Sequence, residues 1–368
     1  MSDAKIPGPR ANPLGEAARG RGARANASGR YELYRHEAFD DGWADESQPD
    51  APLRTTLTPE TARRILTRND SPDIGFDLSI NAYRGCEHGC IYCYARPSHA
   101  YMGLSPGLDF ESRLFFKPDA PRLLRRELSN PRYRCVRIHV GANTDPYQPV
   151  EREQKITRQI LEVLEAFNQP FSIITKSALI VRDLDILSRM AQRRLCSAFI
   201  SLTTLDPALT RAMEPRAATP RRRLDAIRAL SKAGVPVGVG FAPVIPGLND
   251  HEMEAVLEAA AEAGASTAMY VVLRLPLEIH ELFEQWLHTA RPERARRVMS
   301  LVRQMRSGKA YQARFGERMR GEGPVAELIA SRFRMAVKRH GLTRPRHDLD
   351  TTQFRVPEQM RPQLDLFA

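Results

Sequence analysis

The chain has 368 residues, 42% of them hydrophobic, enough for one large core of about 220–250 residues with appendages. Fifty-five Lys and Arg against forty-four Asp and Glu give a net charge of +11 and a pI near 9.7, which favours a polyanionic partner, nucleic acid ahead of a membrane surface. No apolar run approaches membrane-span length, the N-terminus lacks an apolar signal core, and five cysteines are too sparse and odd in number for a disulfide framework. These bounds predict a cytoplasmic protein with no membrane contact.

In chain order, residues 1–50 contain the run Ala17-Ala18-Arg19-Gly20-Arg21-Gly22-Ala23-Arg24, small, basic and without a core face, and are expected to form a disordered basic tail. Residues 51–77 are a lead-in segment. Within it Thr58 to Arg68 opens with Thr and Pro and sets Ala62, Ile65 and Leu66 at helical spacing, which predicts a short helix. From Leu78 short apolar strands alternate with amphipathic helices. The pattern predicts strands at 78–83, 135–141, 171–175, 197–203, 236–242 and 268–273, with helices at 119–129, 152–167, 181–193, 219–233 and 250–263. Such alternation predicts an α/β fold of parallel β/α units, a partial (β/α)6 barrel over 78–290 that is open at one side.

The first predicted strand runs into Gly85-Cys86-Glu87-His88-Gly89-Cys90-Ile91-Tyr92-Cys93-Tyr94, which holds three of the five cysteines in eight residues. Three soft ligands this close can converge on one metal centre, and with no fourth cysteine nearby they suit an iron–sulfur cluster whose last iron stays open. A structural zinc site would need His88 or His99 as its fourth ligand. Cys135 and Cys196 read as small core hydrophobes.

At these residues the chain resembles the radical S-adenosylmethionine (SAM) superfamily, whose signature has three cysteines at this spacing and an aromatic residue, here Tyr92, just before the third. The resemblance implies a 4Fe-4S cluster on Cys86, Cys90 and Cys93, SAM chelated at the open iron, and cleavage of SAM to a 5′-deoxyadenosyl radical. It also implies the same partial barrel, with its chemistry at the carboxyl ends of the strands. Those ends read Gly141-Ala142-Asn143-Thr144-Asp145-Pro146-Tyr147, Thr175-Lys176-Ser177, Ser201-Leu202-Thr203-Thr204 and Gly238 to Gly247, all polar or glycine-rich.

Within the superfamily the chain is similar to the spore photoproduct lyase branch, the DNA-repair-photolyase-like proteins. The similarity rests on Tyr92 and Tyr94 flanking the third cysteine, the block ending in Asp145, Thr175-Lys176, Ile200-Ser201 and Ala242-Pro243. It implies that Asn143, Thr144, Asp145, Lys176 and Ser201 form the SAM-binding set, Thr144, Lys176 and Ser201 holding its amino-acid part. Tyr92 and Tyr94 become the candidate catalytic side chains, although packing beside the cluster is a simpler account of Tyr94. Where the lyase carries a hydrogen-returning cysteine this chain has Ala142, which puts repair of spore photoproduct itself in doubt.

From Arg291 to Arg346 sixteen Lys and Arg meet only four acids, interleaved with Tyr311, Phe315 and Phe333. Residues 291–345 are expected to be a basic helical extension that tracks phosphates or caps the open barrel. Residues 346–368 read as a linker and tail ending Gln363-Leu364-Asp365-Leu366-Phe367-Ala368. This end is similar to the pentapeptide that binds the bacterial DNA polymerase III beta sliding clamp, and Gln363, Leu364, Leu366 and Phe367 are the candidate contacts. The combined expectation is a lyase-like radical SAM enzyme acting on DNA, reduced by a flavodoxin or ferredoxin-type donor. Its rivals are a radical SAM enzyme acting on RNA, protein or a small molecule, and a non-catalytic metal-bearing nucleic-acid-binding module.

Overall fold

The computed structural model describes residues 20–31, 53–343 and 349–358. Its strands are β1 (Thr56–Pro59), β2 (Leu66–Arg68), β3 (Leu78–Ile80), β4 (Tyr83–Arg84), β5 (Arg113–Phe116), β6 (Ile138–Val140), β7 (Phe171–Thr175), β8 (Cys196–Ser201), β9 (Val237–Val244) and β10 (Thr267–Val272). Strands β3 and β6 to β10 run parallel and in sequence order across one sheet, and β2 adds antiparallel at the β3 edge. A small second sheet holds β1, β5 and β4. All six expected parallel strands are present, joined by helices that include Ala120–Leu128, Ile156–Ala166, Leu184–Gln192, Pro220–Lys232 and Met253–Glu262. Local signals start and stop these helices: Pro220 follows Thr219, and Gly234 at φ 76° ends the same helix.

Side chains on a strand alternate between faces. Ile138, Ile173, Ile200 and Val239 join the helices in one apolar core. The intervening Ser79, His139, Ser172, Ser197 and Gly238 line a central cavity of about 910 Å³. A closed barrel fills this space with branched apolar residues. Here small and polar ones leave it hollow.

The open side lies between β10 and β2, and residues 316–320 bridge it. The Gly316 amide donates to Asp73 at 2.7 Å, Arg318 pairs with the same carboxylate at 2.5 Å, and Val272 donates its amide to the Met319 carbonyl at 2.9 Å. The helix Gly323–Arg339 packs on Met253–Glu262 through Arg332 and Glu254, with Phe333 against Tyr270 at 4.6 Å. Part of the basic extension therefore caps the barrel, while Arg334 and Arg339 face solvent.

Four expectations change. The lead-in helix over 58–68 is absent: β1 satisfies its backbone by pairing with β5, and the threonines there suit a strand. The helix over 152–167 is two, Glu151–Gln154 and Ile156–Ala166, because Lys155 turns to φ 52° and the buried Glu151 carboxylate accepts the Thr157 amide at 3.1 Å. The boundary at 290/291 falls between the helices Ile279–Ala290 and Pro292–Gln304, which share one apolar core with Cys90, Ile91 and Tyr92. Residues 349–358, expected as linker, dock: Phe354 packs on Tyr133 at 5.3 Å, and the Arg355 amide donates to the Phe167 carbonyl at 3.0 Å.

The basic tail also differs, for Gly20 to Tyr31 lies against the cysteine loop. Arg21 donates to the Glu111 and Leu53 carbonyls at 2.8 Å each, and the Gly22 and Ala23 amides both donate to the Glu111 carboxylate at 2.8 Å. Ala23 is buried beside Ile91 and Tyr92. Contacts between residues about ninety apart carry no local signature. A Cβ at Gly22 would stand 1.7 Å from the Gly89 carbonyl oxygen. Gly22→Val is therefore expected to lift the strap, so that trypsin cuts after Arg21 and Arg24 about tenfold faster while the thermal transition of the barrel persists. Unchanged cleavage would show that the strap does not depend on this contact.

Candidate functional site

The cysteine loop follows β3 and β4 at the carboxyl-terminal mouth of the barrel. Cys86, Cys90 and Cys93 all line the cavity. Gln148 holds the loop's entry, donating to the Gly85 carbonyl at 3.2 Å and accepting the Glu87 amide at 2.9 Å. On the far side the Ile91 amide donates to the Met213 carbonyl at 3.0 Å, and the Arg216 amide to the His88 carbonyl at 3.3 Å. Fully buried Arg96 donates to the carbonyls of Cys90, Gly107 and Gly89 at 2.9, 2.8 and 3.2 Å and pairs with buried Glu111. Burial pushes all three thiols up, Cys90 to about 12, so a bound metal has to displace their protons.

Asp145 ties three strand ends together. Its carboxylate accepts from the Thr175 hydroxyl at 2.6 Å, the Lys176 amide at 2.8 Å and the Tyr147 amide at 2.9 Å, and faces His88 Nδ1 at 3.3 Å. Burial raises its pKa, but the nearby His88 ring and the hydrogen bonds outweigh it and leave the group at about 2. Its acceptor positions are committed within the protein, so Asp145 positions the site. The same pair accounts for His88, which is buried. His99 is also buried, its Nε2 on the Arg113 carbonyl at 3.0 Å and its pKa pushed down to about 4 by burial.

Asn143, Thr144, Lys176 and Ser201 line the same cavity. Asn143 is exposed, and its amide donates to Asn81 Oδ1 at 2.8 Å. Thr144 donates to the Tyr83 carbonyl and Ser201 to the Ala242 carbonyl, each at 3.2 Å. Lys176 Nζ stands 5.7 Å from the centroid of the Tyr92 ring, and among the described residues no hydrogen bond or ion pair holds it. Burial works against its charge, but Cys90 and Glu214 outweigh this and raise its pKa.

Behind the loop lies a charge network that motif reading missed. Buried Glu214 accepts hydrogen bonds from the Tyr92 hydroxyl and from Thr203 at 2.7 Å, and pairs with buried Arg223. Arg223 also donates to the Ser201 carbonyl at 3.0 Å. Burial pushes Glu214 up, yet Arg223 and Lys176 hold it at about 2. Tyr92 is thereby fixed as a wall of the site, with its hydroxyl turned to Glu214. Tyr94 is 46% exposed, and its hydroxyl donates to the carbonyl of Ala142. Nothing local marks Met213-Glu214-Pro215, which only the fold brings behind Tyr92.

The remaining cysteines stand away from the cavity. Cys196 is fully buried, while Cys135 is half-buried before β6, at the opposite end of the barrel, its thiol 3.6 Å from Gln169 Oε1. Gln363, Leu364, Leu366 and Phe367 lie outside the described residues. Breaking a buried ion pair from one side costs about 3–5 kcal/mol. Glu214→Ala is accordingly expected to lower the unfolding free energy by about that amount in urea titration, and Glu214→Gln by less, since it keeps acceptors for Tyr92 and Thr203. A loss below about 1 kcal/mol in both would show that the network does not hold the wall.

Comparison with known proteins agrees with this geometry. Residues 80–260 match the radical SAM superfamily model. An uncharacterized protein of Mycobacterium tuberculosis is 37% identical over 263 residues, covering 71% of this chain and 76% of that relative. An uncharacterized protein of Methanocaldococcus jannaschii is 27% identical over 219 residues, 60% of this chain and 78% of that one. Among solved structures, spore photoproduct lyase complexed with dinucleoside spore photoproduct superposes with a TM-score of 0.56 at 16% identity, over 77% of this chain and 79% of that one. A lyase mutant with bound AdoMet and the same lesion gives 0.55. With a cysteine triplet at the mouth of a six-stranded parallel barrel, and this match over its core, the chain belongs to the radical SAM superfamily.

Proposed function

We propose that this chain cleaves SAM reductively at a 4Fe-4S cluster held by Cys86, Cys90 and Cys93, and that it acts on nucleic acid, with DNA as the substrate. The observation that carries this reading is the opening of three buried or half-buried thiols and the Lys176 ammonium onto one cavity of about 910 Å³. Three cysteine thiols on one cavity suit an iron–sulfur group once they are deprotonated. When bound, cluster and SAM supply a 5′-deoxyadenosyl radical.

The chain's own residues bind and orient. Lys176 presents its ammonium to the SAM carboxylate, and Thr144 and Ser201 offer hydroxyls to the same amino-acid portion. Asn143 lies at the rim of this set, and Asp145 fixes Lys176 and His88 relative to each other. Tyr92 closes the wall behind, while half-exposed Tyr94 faces the substrate side. Ala142 supplies no hydrogen donor, so the reading is a photolyase-like repair or modification and not the return of hydrogen from a cysteine at that position.

The DNA assignment is supported by the net charge of +11, the exposed arginines of the C-terminal region and the fold shared with a lyase solved with a dinucleoside lesion. The tail Gln363 to Phe367, as a sliding-clamp anchor, would deliver the enzyme to replicating DNA. A flavodoxin or ferredoxin-type donor would supply the electron, and the protein would work in the cytoplasm; no described helix is long and apolar enough to cross a membrane.

Anaerobic reconstitution tests the core of this reading. Wild type and the Cys135→Ser and Cys196→Ser variants are expected to hold about four irons, and Cys86→Ala, Cys90→Ala and Cys93→Ala less than about one. Wild type with SAM and dithionite is expected to release 5′-deoxyadenosine, faster with damaged DNA. A colourless zinc protein would end the enzyme claim, and turnover that responds to RNA, protein or a small molecule but not DNA would move the substrate class. Leu366→Ala with Phe367→Ala is expected to weaken binding to the clamp at least about tenfold in a pull-down; unchanged retention removes that partner.

A further inference from the structure

Arg274 stands two residues beyond β10 on the cavity wall and takes no part in the cysteine mount or the Glu214 network. Its Nε–H is buried with no acceptor among the described residues. Among the described residues its terminal nitrogens meet only the Tyr311 hydroxyl at 3.4 Å and the Met319 sulfur at 3.6 Å, the outer limits of such contacts. Its guanidinium carbon lies 5.2 Å from the Tyr94 ring centroid, which places the charge beside the half-exposed tyrosine of the site.

The charged neighbours are spoken for. Arg306 donates to the Glu317 and Leu273 carbonyls at 2.8 and 3.0 Å. Arg318 is paired with Asp73, whose carboxylate also takes the Gly316 amide. Among the described residues Arg274 therefore has no anionic partner within hydrogen-bond reach, in a place where water is partly excluded. A partly desolvated guanidinium with an unpaired Nε–H and weak outer contacts is unfavourable, and an anion entering the cavity would complete it. The planar fork matches phosphate, which a lysine serves only as a point charge.

The rim nearby argues for a phosphate carried on a nucleotide strand. Tyr31 and Tyr101 are 55% and 70% exposed, with ring centroids 5.3 Å apart. Arg30 lies over both rings and is held by Glu278, four residues past Arg274. Tyr101 sits three residues after Ser98 in a 3-10 helix, hence on the face that meets the cavity at Ser98. Exposed aromatic rings beside cations are a stacking platform for unpaired bases.

We propose that Arg274 binds a backbone phosphate of the substrate strand at the cavity mouth, while the Tyr31–Tyr101 pair stacks an adjacent base. This rests on the nucleic-acid reading above. The test uses the full-length, cluster-loaded protein under anaerobic conditions and a fluorescent single-stranded DNA of about ten nucleotides. Arg274→Gln is expected to bind about tenfold more weakly, with the slope of log K against log salt shallower by about 0.7, the loss of one single-strand phosphate contact. Arg274→Lys should recover the slope without the full affinity. The spectral change of the cluster on SAM addition should be the same in all three proteins, which also verifies that each variant is folded and loaded.

Equal affinity and slope in wild type and Arg274→Gln would overturn the assignment while leaving the nucleic-acid reading intact. Loss of the SAM response with oligonucleotide binding retained would give Arg274 to the SAM carboxylate and overturn it too. A wild type that binds no oligonucleotide, or prefers an acidic peptide, would remove the nucleic-acid reading and this proposal with it.

Discussion

The buried ion pair between Arg96 and Glu111 is the joint on which the site depends. Both side chains are fully buried, and the carbonyls of Gly89, Cys90 and Gly107 accept from the guanidinium while the strap amides of Gly22 and Ala23 donate to the carboxylate. A buried pair is weak evidence for stability by itself, since desolvation offsets most of the attraction. Its worth here is geometric. One guanidinium fixes the backbone between the second cysteine and the helix that follows, so the loop that presents the thiols to the cavity is held in place. The strap, the loop and residues 105–112 become one unit through it.

The same economy recurs on the other side of the cysteine loop. Asp145 joins His88, Thr175 and Lys176, and Glu214 joins Tyr92, Thr203 and Arg223. Each carboxylate is kept ionised against burial by cations and hydrogen bonds that come from different strand ends. The strands thus deliver their carboxyl termini to fixed places around the mouth. Among the described residues Lys176 and Arg274 have no anionic contact partner on that mouth, the first lying by the Tyr92 ring and the second by the Tyr94 ring.

A hollow interior is the other requirement. Ser172, Ser197 and Gly238 sit where larger residues would fill a closed barrel, and a Cβ at Gly238 would already stand 2.5 Å from the Phe199 ring. The gap that six strands leave is covered by residues 316–320, and the helix Gly323–Arg339 packs behind β10. The basic C-terminal region accordingly has two physical roles on its two faces. Arg306, Arg318 and Arg332 are consumed in holding it to the barrel, and exposed Arg334 and Arg339 add to the positive field.

Much of this was written locally. Alternating apolar runs and capped helices specify the six β/α units, and three cysteines within eight residues mark the proposed metal mount, because both signals arise between near neighbours on the chain. Lys176 stands out at the end of the third strand, whereas Tyr92 is picked out only by the resemblance to the radical SAM signature. Other features exist only once distant segments meet. Glu111 and the strap residues are about ninety positions apart, Tyr92 and Glu214 more than a hundred, and Arg274 becomes a cavity cation only beside Tyr94 and Tyr311. Residues 20–31, expected within a disordered tail, and the lead-in expected as helix differ for one reason: their backbone groups find partners on remote strands and side chains, and tertiary pairing overrides a weak local propensity.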